Sequence, residues 1–236
     1  MEHWVYTTNI LGHTVNFNMD TLLTMWFSML ILIVIAFLTT RNLKMVPSKL
    51  QLIGENIIKY FNDISKASMG NDEAQKHIAI ILTLFMFILT ANLVGQLPFK
   101  LIHLAHGELA SPNNDINMTA AMAVVVSIYY IFYGIRRNGA KFFFKGFSID
   151  GIIVTLVDTL ELFVRPFSLA LRLFANILAG ELLVATFVSL FAIVLPLPFM
   201  LFELFVALIQ ALVFTLLSTT YISMAVQEEG PQQDGA

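Results

Sequence analysis

Long apolar runs separated by short charged segments organise this chain. Residues 21–40 (TLLTMWFSMLILIVIAFLTT) hold no charge between Asp20 and Arg41. At about 1.5 Å per residue, a helix of that length crosses a roughly 30 Å hydrocarbon core. Residues 78–99 (IAIILTLFMFILTANLVGQLPF) give a second span ending at Pro98. Residues 116–135 (INMTAAMAVVVSIYYIFYGI) give a third, with tyrosines toward one end where amphipathic rings favour the interface. From 151 to 226 the chain is apolar almost throughout, interrupted by Asp158, Glu161, Arg165, Arg172, Glu181, Glu203 and the LPLP at 195–198. Proline lacks the N–H that a helix interior needs. The pattern therefore predicts a helical hairpin: a long helix to about 192, a turn through LPLP, and a second helix to about 226. The expected fold is an all-α integral membrane protein forming a single membrane domain over 1–236.

The loops set the orientation. The 41–77 segment carries Arg41, Lys44, Lys49, Lys59, Lys66 and Lys76, and the following 136–150 loop carries Arg136, Arg137, Lys141 and Lys145. The N-terminal segment 1–20 and the LPLP turn carry no lysine or arginine, and the 100–115 loop carries only Lys100. Basic loops stay cytoplasmic, so the N-terminus is expected outside, with the LPLP turn, and the 227–236 tail inside. No basic residue precedes the first run, which is also too long for a signal core, so that span is expected to be retained. Within 41–77, Leu50, Ile53, Ile57, Tyr60, Phe61 and Ile64 recur at near-helical spacing. They predict an amphipathic helix lying along the inner interface.

Composition agrees with the membrane setting: 58% of the 236 residues are apolar and only 12% charged, against about 25% charged in a soluble domain. With no cysteine, thiol catalysis, disulfides and cysteine-held metals are excluded. His103 and His106 stand three apart without a further ligand set and read as solvated loop histidines. No metal or cofactor is expected. The tail QEEGPQQDGA is acidic and rich in helix breakers, which predicts disorder. No phosphate loop, dinucleotide fingerprint, HExxH or nucleophile elbow is present.

The hairpin carries the chemistry. A charge at the bilayer midplane costs about 2.5–3.5 kcal/mol on insertion scales, so Arg172 is retained only where it faces protein or water. At about 100° per residue it shares a face with Ser168 and Asn176. Asp158 falls about 40° away and roughly 21 Å earlier, with Glu161 and Arg165 on nearly the same stripe. Glu181 lies on the opposite face about 13.5 Å further on. On the second helix Glu203 and Gln210 share a face. An antiparallel register centred near 191–192 sets Arg172 level with Gln210 and Glu181 level with Glu203. Two carboxylates side by side in low dielectric cannot both ionise cheaply, so the pair is expected to share about one proton and to exchange it. The alternative for Glu203 is a carboxylate snorkelling at the outer interface.

The motif LRLFANILAGE, followed by ELFVALIQALVFTLLSTTYISMA, resembles subunit a of the F-type rotary ATP synthases. ANLVGQLP in the second span and SPNNDINMTAAMA at the third extend the likeness over nearly the whole chain, in order. The resemblance implies a non-catalytic stator subunit working with a c-subunit ring, a b-subunit peripheral stalk and the rest of the ATP synthase complex in a bacterial plasma membrane, with no nucleic acid. It implies two offset proton half-channels and a last helix pair lying strongly tilted against the ring. Arg172 matches the essential arginine, and Asn176 and Gln210 match its polar neighbours. Glu181 matches an outer half-channel carboxylate, with Glu203 where several bacterial relatives have histidine. Asp115 and Asn117 match the outer channel mouth, and Asp158 an inner acidic position. Glu161 assists there or pairs with Arg165. An acidic residue that the family places after the second-span asparagine is absent, Gly95 and Gln96 occupying that neighbourhood. The competing readings are a proton-coupled secondary transporter or respiratory proton-pump subunit, and a non-conducting scaffold. No internal repeat or second broken helix favours a transporter, and a scaffold leaves Arg172, Glu181 and Asp158 without a purpose.

Overall fold

The computed structural model describes residues 5–10, 13–41, 43–96, 112–139, 149–190 and 196–227. Six helices follow a short β-hairpin. In the hairpin, β1 (Val5–Ile10) pairs antiparallel with β2 (His13–Asn18), with Val5 opposite Asn18. The helices are α1 (Met19–Thr40), α2 (Lys49–Met69), α3 (Asn71–Gln96), α4 (Ile116–Asn138), α5 (Ile149–Leu190) and α6 (Pro196–Val226). Five of them, all but α2, are long and apolar enough to cross a bilayer. The chain is a multi-pass, essentially all-α membrane protein, and the hairpin is an addition that the apolar pattern did not anticipate. The predicted features at His103, His106 and the 228–236 tail lie outside the described residues.

Local chemistry fixes the helix ends and moves two boundaries from those expected. Helix α3 starts at Asn71 rather than near 78, because its polar first turns are stable helix in their own right. Asp72 and Glu73 sit in the first turn, where the helix dipole favours anions. Gly70, at a φ of 83° open to glycine, lets the chain turn from α2 directly into α3. Ser48 caps α2 by accepting from the Gln51 N–H, and Asp115 caps α4 by accepting from the Asn117 N–H at 2.9 Å. The LPLP segment is not wholly a turn. Pro196 and Pro198 stand in the first turn of α6, where the missing N–H groups would have no intrahelical partner anyway.

Helices α3, α4, α5 and α6 enclose one core. Ile81, Phe85 and Ile88 of α3 meet Val126 and Tyr130 of α4, Leu169 and Leu173 of α5, and Phe214 and Ile222 of α6. Helix α1 lies at the edge and presents small polar residues inward. Thr24 and Ser28 are buried, with their hydroxyls returned to carbonyls of their own helix (Asp20 and Thr21 for Thr24, Thr24 for Ser28). This lets backbones approach closely where lipid offers no hydrophobic drive. Its outer face, including Trp26, Leu30, Ile33 and Phe37, is exposed apolar surface suited to lipid. Of the predicted α2 stripe, Phe61 is buried in the core while Leu50, Ile53 and Tyr60 stay exposed. Gln51, Ser65 and Met69 complete the packed edge.

Polar ties lock the end of the bundle where the basic residues gather. Ser223 and Gln227 at the end of α6 both donate to the Ser68 carbonyl (2.6 and 2.7 Å). Asn138 donates to the Ala225 carbonyl, and Glu73 bridges Lys76 and Arg137. His77 is fully buried, its Nδ1 at 2.8 Å from the Tyr129 hydroxyl and its ring edge-on to Tyr133. Replacing His77 with phenylalanine keeps the ring but removes the imidazole partner of that hydroxyl, a loss of about 0.5–1.5 kcal/mol. Thermal unfolding of the purified protein in detergent is expected to move down accordingly, and to move less when Tyr129→Phe is combined with it.

Candidate functional site

At the other end of the bundle, amides converge on carboxylates. Asp115, besides capping α4, accepts from Asn18 Nδ2 at 2.6 Å and from Asn117 Nδ2 at 3.0 Å. Asn18 precedes α1 without capping it, its amide being turned to Asp115 instead. Next to Asp115 a 3₁₀ turn, Pro112–Asn114, directs two further amides. Asn113 donates to Asn92 Oδ1 at 2.6 Å, and Asn92 in turn donates to the Ala207 carbonyl of α6 at 3.0 Å. Asn114 donates to Glu181 Oε2 at 2.7 Å. Glu181 and Glu203 are both buried, 3% and 8% exposed, deep enough that an ionised carboxylate needs compensation.

Gly180 brings Glu203 to this place. A Cβ at residue 180 would stand 2.7 Å from Glu203 Oε1 and 2.9 Å from its Cγ and Cδ. The Glu203 side chain therefore lies across the bare backbone of α5, beside the residue that bears the other carboxylate. The expected level pairing of Glu181 with Glu203 agrees with this contact. The hydrogen-bond partner of Gln210 is Asn176 rather than Arg172. Gln210 is buried and accepts from Asn176 Nδ2 at 2.7 Å, one turn further along α5. A short amide reaches across a close helix contact more readily than a long guanidinium folds into it.

Arg172 stands one turn before Asn176, exposed, with Ser168 half-buried a turn earlier on the same stripe. Among the described residues no ion pair is formed by Arg172. On either side of it in sequence, Leu169 and Leu173 are buried. Toward the start of α5 Asp158 is half-buried, and Arg165 is hydrogen-bonded to Glu161 and stacks over the Tyr221 ring at 5.1 Å. From Asp158 to Glu181 the helix rises about 35 Å. Two polar clusters thus occupy opposite ends of α5, with an arginine between them.

The sequence matches the family model of the ATP synthase A chain over residues 22–223. The chain belongs to that family. Among curated relatives, a protein named ATP synthase subunit a from Gloeobacter violaceus is 42% identical over 209 residues, covering 89% of this chain and 84% of the relative. As a member of the ATP synthase A chain family, the chain is a component of the membrane sector of the ATP synthase and takes part in proton transport.

Within this family member the structure joins Asp115, Asn117, Glu181 and Glu203 into one neighbourhood, and Asn176 with Gln210 into a second. Asp158, Glu161 and Ser168 stay along α5, away from both. Four residues of the first neighbourhood were not among the expected site residues: Asn18, Asn92, Asn113 and Asn114. Asn92 carried a signal, a lone amide inside an apolar run, and so did the paired asparagines before Asp115. Asn18 carried none, because its partner is 97 positions away. Replacing Gly180 with alanine is expected to leave helix α5 intact, since alanine is the better helix former. The added methyl forces Glu203 off its seat. Proton flux through vesicles containing the complex is expected to fall while assembly with the other subunits persists. A smaller side chain at the same place, Glu203→Asp, is expected to restore part of the flux in the Gly180→Ala background.

Proposed function

We propose that this chain is the proton-translocating stator of the ATP synthase membrane sector, working against a rotating ring of c subunits that bears one carboxylate per subunit. The observation that carries the reading is Arg172: an exposed cation on an apolar, membrane-length helix, without an ion pair among the described residues and set between two polar clusters. A bare charge on a lipid-facing surface is too costly to keep, so a partner carrying the opposite charge has to meet it. A ring carboxylate that is neutral in lipid and ionised at this helix fits that requirement.

The loop charges put the N-terminus outside and the C-terminal tail in the cytoplasm, and the host membrane is a bacterial plasma membrane. The outer half-channel then begins at Asp115 and Asn117, passes the amides of Asn113 and Asn114, and ends at Glu181 and Glu203. Their close placement lets the two carboxylates share a proton and pass it to the ring. The neutral ring carboxyl turns through lipid, reaches the inner half-channel near Asp158, and loses its proton there. The resulting anion is drawn past Arg172, which blocks a direct crossing between the channels. Asn176 and Gln210 hold the α5–α6 contact beside it, and Ser168 extends the same face. Helix α5 has 42 residues and is about 63 Å long. That is twice what an upright span needs, so the helix lies strongly tilted along the ring and its two ends reach different depths.

Each proton crossing 100 mV supplies about 2.3 kcal/mol, and ATP is made by other subunits, to which a b-subunit stalk fixes this one. The chain itself supplies no catalytic group or cofactor. Co-purification separates this reading from a proton-coupled transporter or respiratory proton-pump subunit, since only a stator requires a c ring and an ATPase head.

Replacing Arg172 with alanine is expected to abolish ATP-driven proton pumping and ATP synthesis in reconstituted vesicles, with the complex still assembled. Coupled synthesis near the wild-type rate would overturn the reading. Arg172→Lys is also expected to work poorly, because a compact ammonium lacks the planar fork and loses its proton when buried.

Sidedness gives an independent check. Single cysteines at 115, 181 and 203 are expected to react with silver ions added outside, and one at 158 with silver ions added on the cytoplasmic face. Reaction of 158 and 181 from the same side only would refute two offset channels.

A further inference from the structure

We infer that Glu161 serves to neutralise Arg165, so that Arg172 stays the one uncompensated cation of α5 and the single point where an ionised ring carboxylate is held. This rests on the stator reading above and assigns Glu161 a positioning role rather than a place in the proton relay.

The geometry supplies the reasons. Helix α5 contains two basic residues, Arg165 and Arg172, seven positions apart. That spacing places them about 20° apart around the helix and about 10.5 Å along it. They share one stripe, and Arg165 lies between Asp158 and Arg172. A ring carboxylate that lost its proton near Asp158 would therefore meet Arg165 first. The Arg165 side chain is 19% exposed, and its guanidinium is held on two sides, by the Glu161 carboxylate one turn back and by the face of Tyr221 from α6. Tyr221 leans in turn on buried Tyr130. An arginine so fixed cannot swing away from a passing anion. Only the charge of Glu161 keeps it from competing with Arg172, because attraction between unit charges strengthens sharply as the surroundings lose water. Glu161, 45% exposed in its side chain, touches the cation and leaves the stripe electrically quiet up to Arg172.

Neutralisation and proton carriage predict opposite behaviour in a double variant. In vesicles carrying the whole complex, Glu161→Gln leaves Arg165 bare and is expected to slow ATP-driven acidification about tenfold. Glu161→Gln combined with Arg165→Gln removes the competing cation and is expected to recover most of the wild-type rate. Glu161→Asp, which keeps the charge, is expected to stay fast. A carboxylate needed as a proton carrier is lost equally in the single and double variants, whereas a pair needed only for structure shows itself as lost assembly or thermal stability of the Glu161→Gln complex, measured beside its rate. A double variant as slow as Glu161→Gln therefore overturns the inference, as does a Glu161→Gln variant pumping at the wild-type rate. If Glu161→Gln does not assemble, the double variant decides alone: pumping upholds the inference and silence in an assembled complex overturns it. Arg172→Ala is measured alongside. Pumping in that variant refutes the stator reading itself, whereas its silence together with a failed rescue refutes only the role of Glu161.

Discussion

The close contact between α5 and α6 is the constraint on which the rest of the molecule depends. Gly180 removes a side chain so that Glu203 lies against the α5 backbone, and Asn176 reaches Gln210 further along the same seam. These two contacts fix the register of the hairpin. That register decides which side of α5 stays free, and Arg172 falls on the free side because the buried side is taken by Leu169, Leu173 and Ile177. The asparagines then assemble around what the seam has placed. Asn92 reaches the Ala207 carbonyl of α6 and Asn114 reaches Glu181 of α5, so α3 and the start of α4 are tied to both helices of the hairpin. A shift of one turn along the seam would part the two carboxylates and unseat these amides together.

The polar groups buried at one end satisfy one another through their donors, while Asn113 Oδ1 and Asn114 Oδ1 are buried without a partner among the described residues. Three amides of the cluster are each oriented by the group they donate to: Asn113 by Asn92, Asn114 by Glu181, Asn18 by Asp115. Such networks stabilise a single arrangement when complete and cost several kcal/mol when a partner is missing. The opposite end follows another rule. There the exposed cations Arg136 and Lys76 meet the aqueous boundary, and the ties at Ser68, Asn138 and Glu73 hold helix ends rather than line a path. The same bundle is polar inside at one end and polar outside at the other.

The spans were legible in the sequence because lipid imposes a simple demand, an uncharged helix long enough to cross. Residues 21–40 and 116–135 became α1 and α4 within a few positions. The inner start of α3 was not legible by that criterion, since Asn71 to His77 form helix through capping and ion pairs while reading as a polar loop. The hairpin at 5–18 left a weaker trace, β-branched residues such as Val5, Thr7, Thr8 and Val15 around Gly12, which a search for membrane spans passes over. Among site residues, those marked by charge in an apolar run (Arg172, Glu181, Glu203, Asp158) were visible one by one. The asparagines were not, because an amide acquires meaning only from a partner that sequence separation hides. The hydrogen bond of Asn176 to Gln210 likewise depends on how closely two helices approach, and periodicity along one helix says nothing of that.

Between the two polar clusters the core is apolar. Leu169, Leu173 and Ile177 of α5 close against Ala211 and Phe214 of α6 and the apolar side of α3 and α4, all buried. The hydroxyls in that layer do not form a chain. Thr215, Ser218 and Thr219 each return their hydrogen to a carbonyl one turn back in α6. A hydroxyl so engaged offers no free donor to a neighbour across the seam, and the described core side chains of that layer include no carboxylate. Under the stator reading this gives the protein two barriers of different kinds. The packed layer blocks passage through the interior, and the uncompensated cation of Arg172 blocks passage along the exposed face. A proton that enters at Glu181 and leaves near Asp158 must then travel on something that moves past the outside of α5. On that reading, the cost of charge in lipid, which makes Arg172 so conspicuous in the sequence, is the physical reason that transport is coupled to motion.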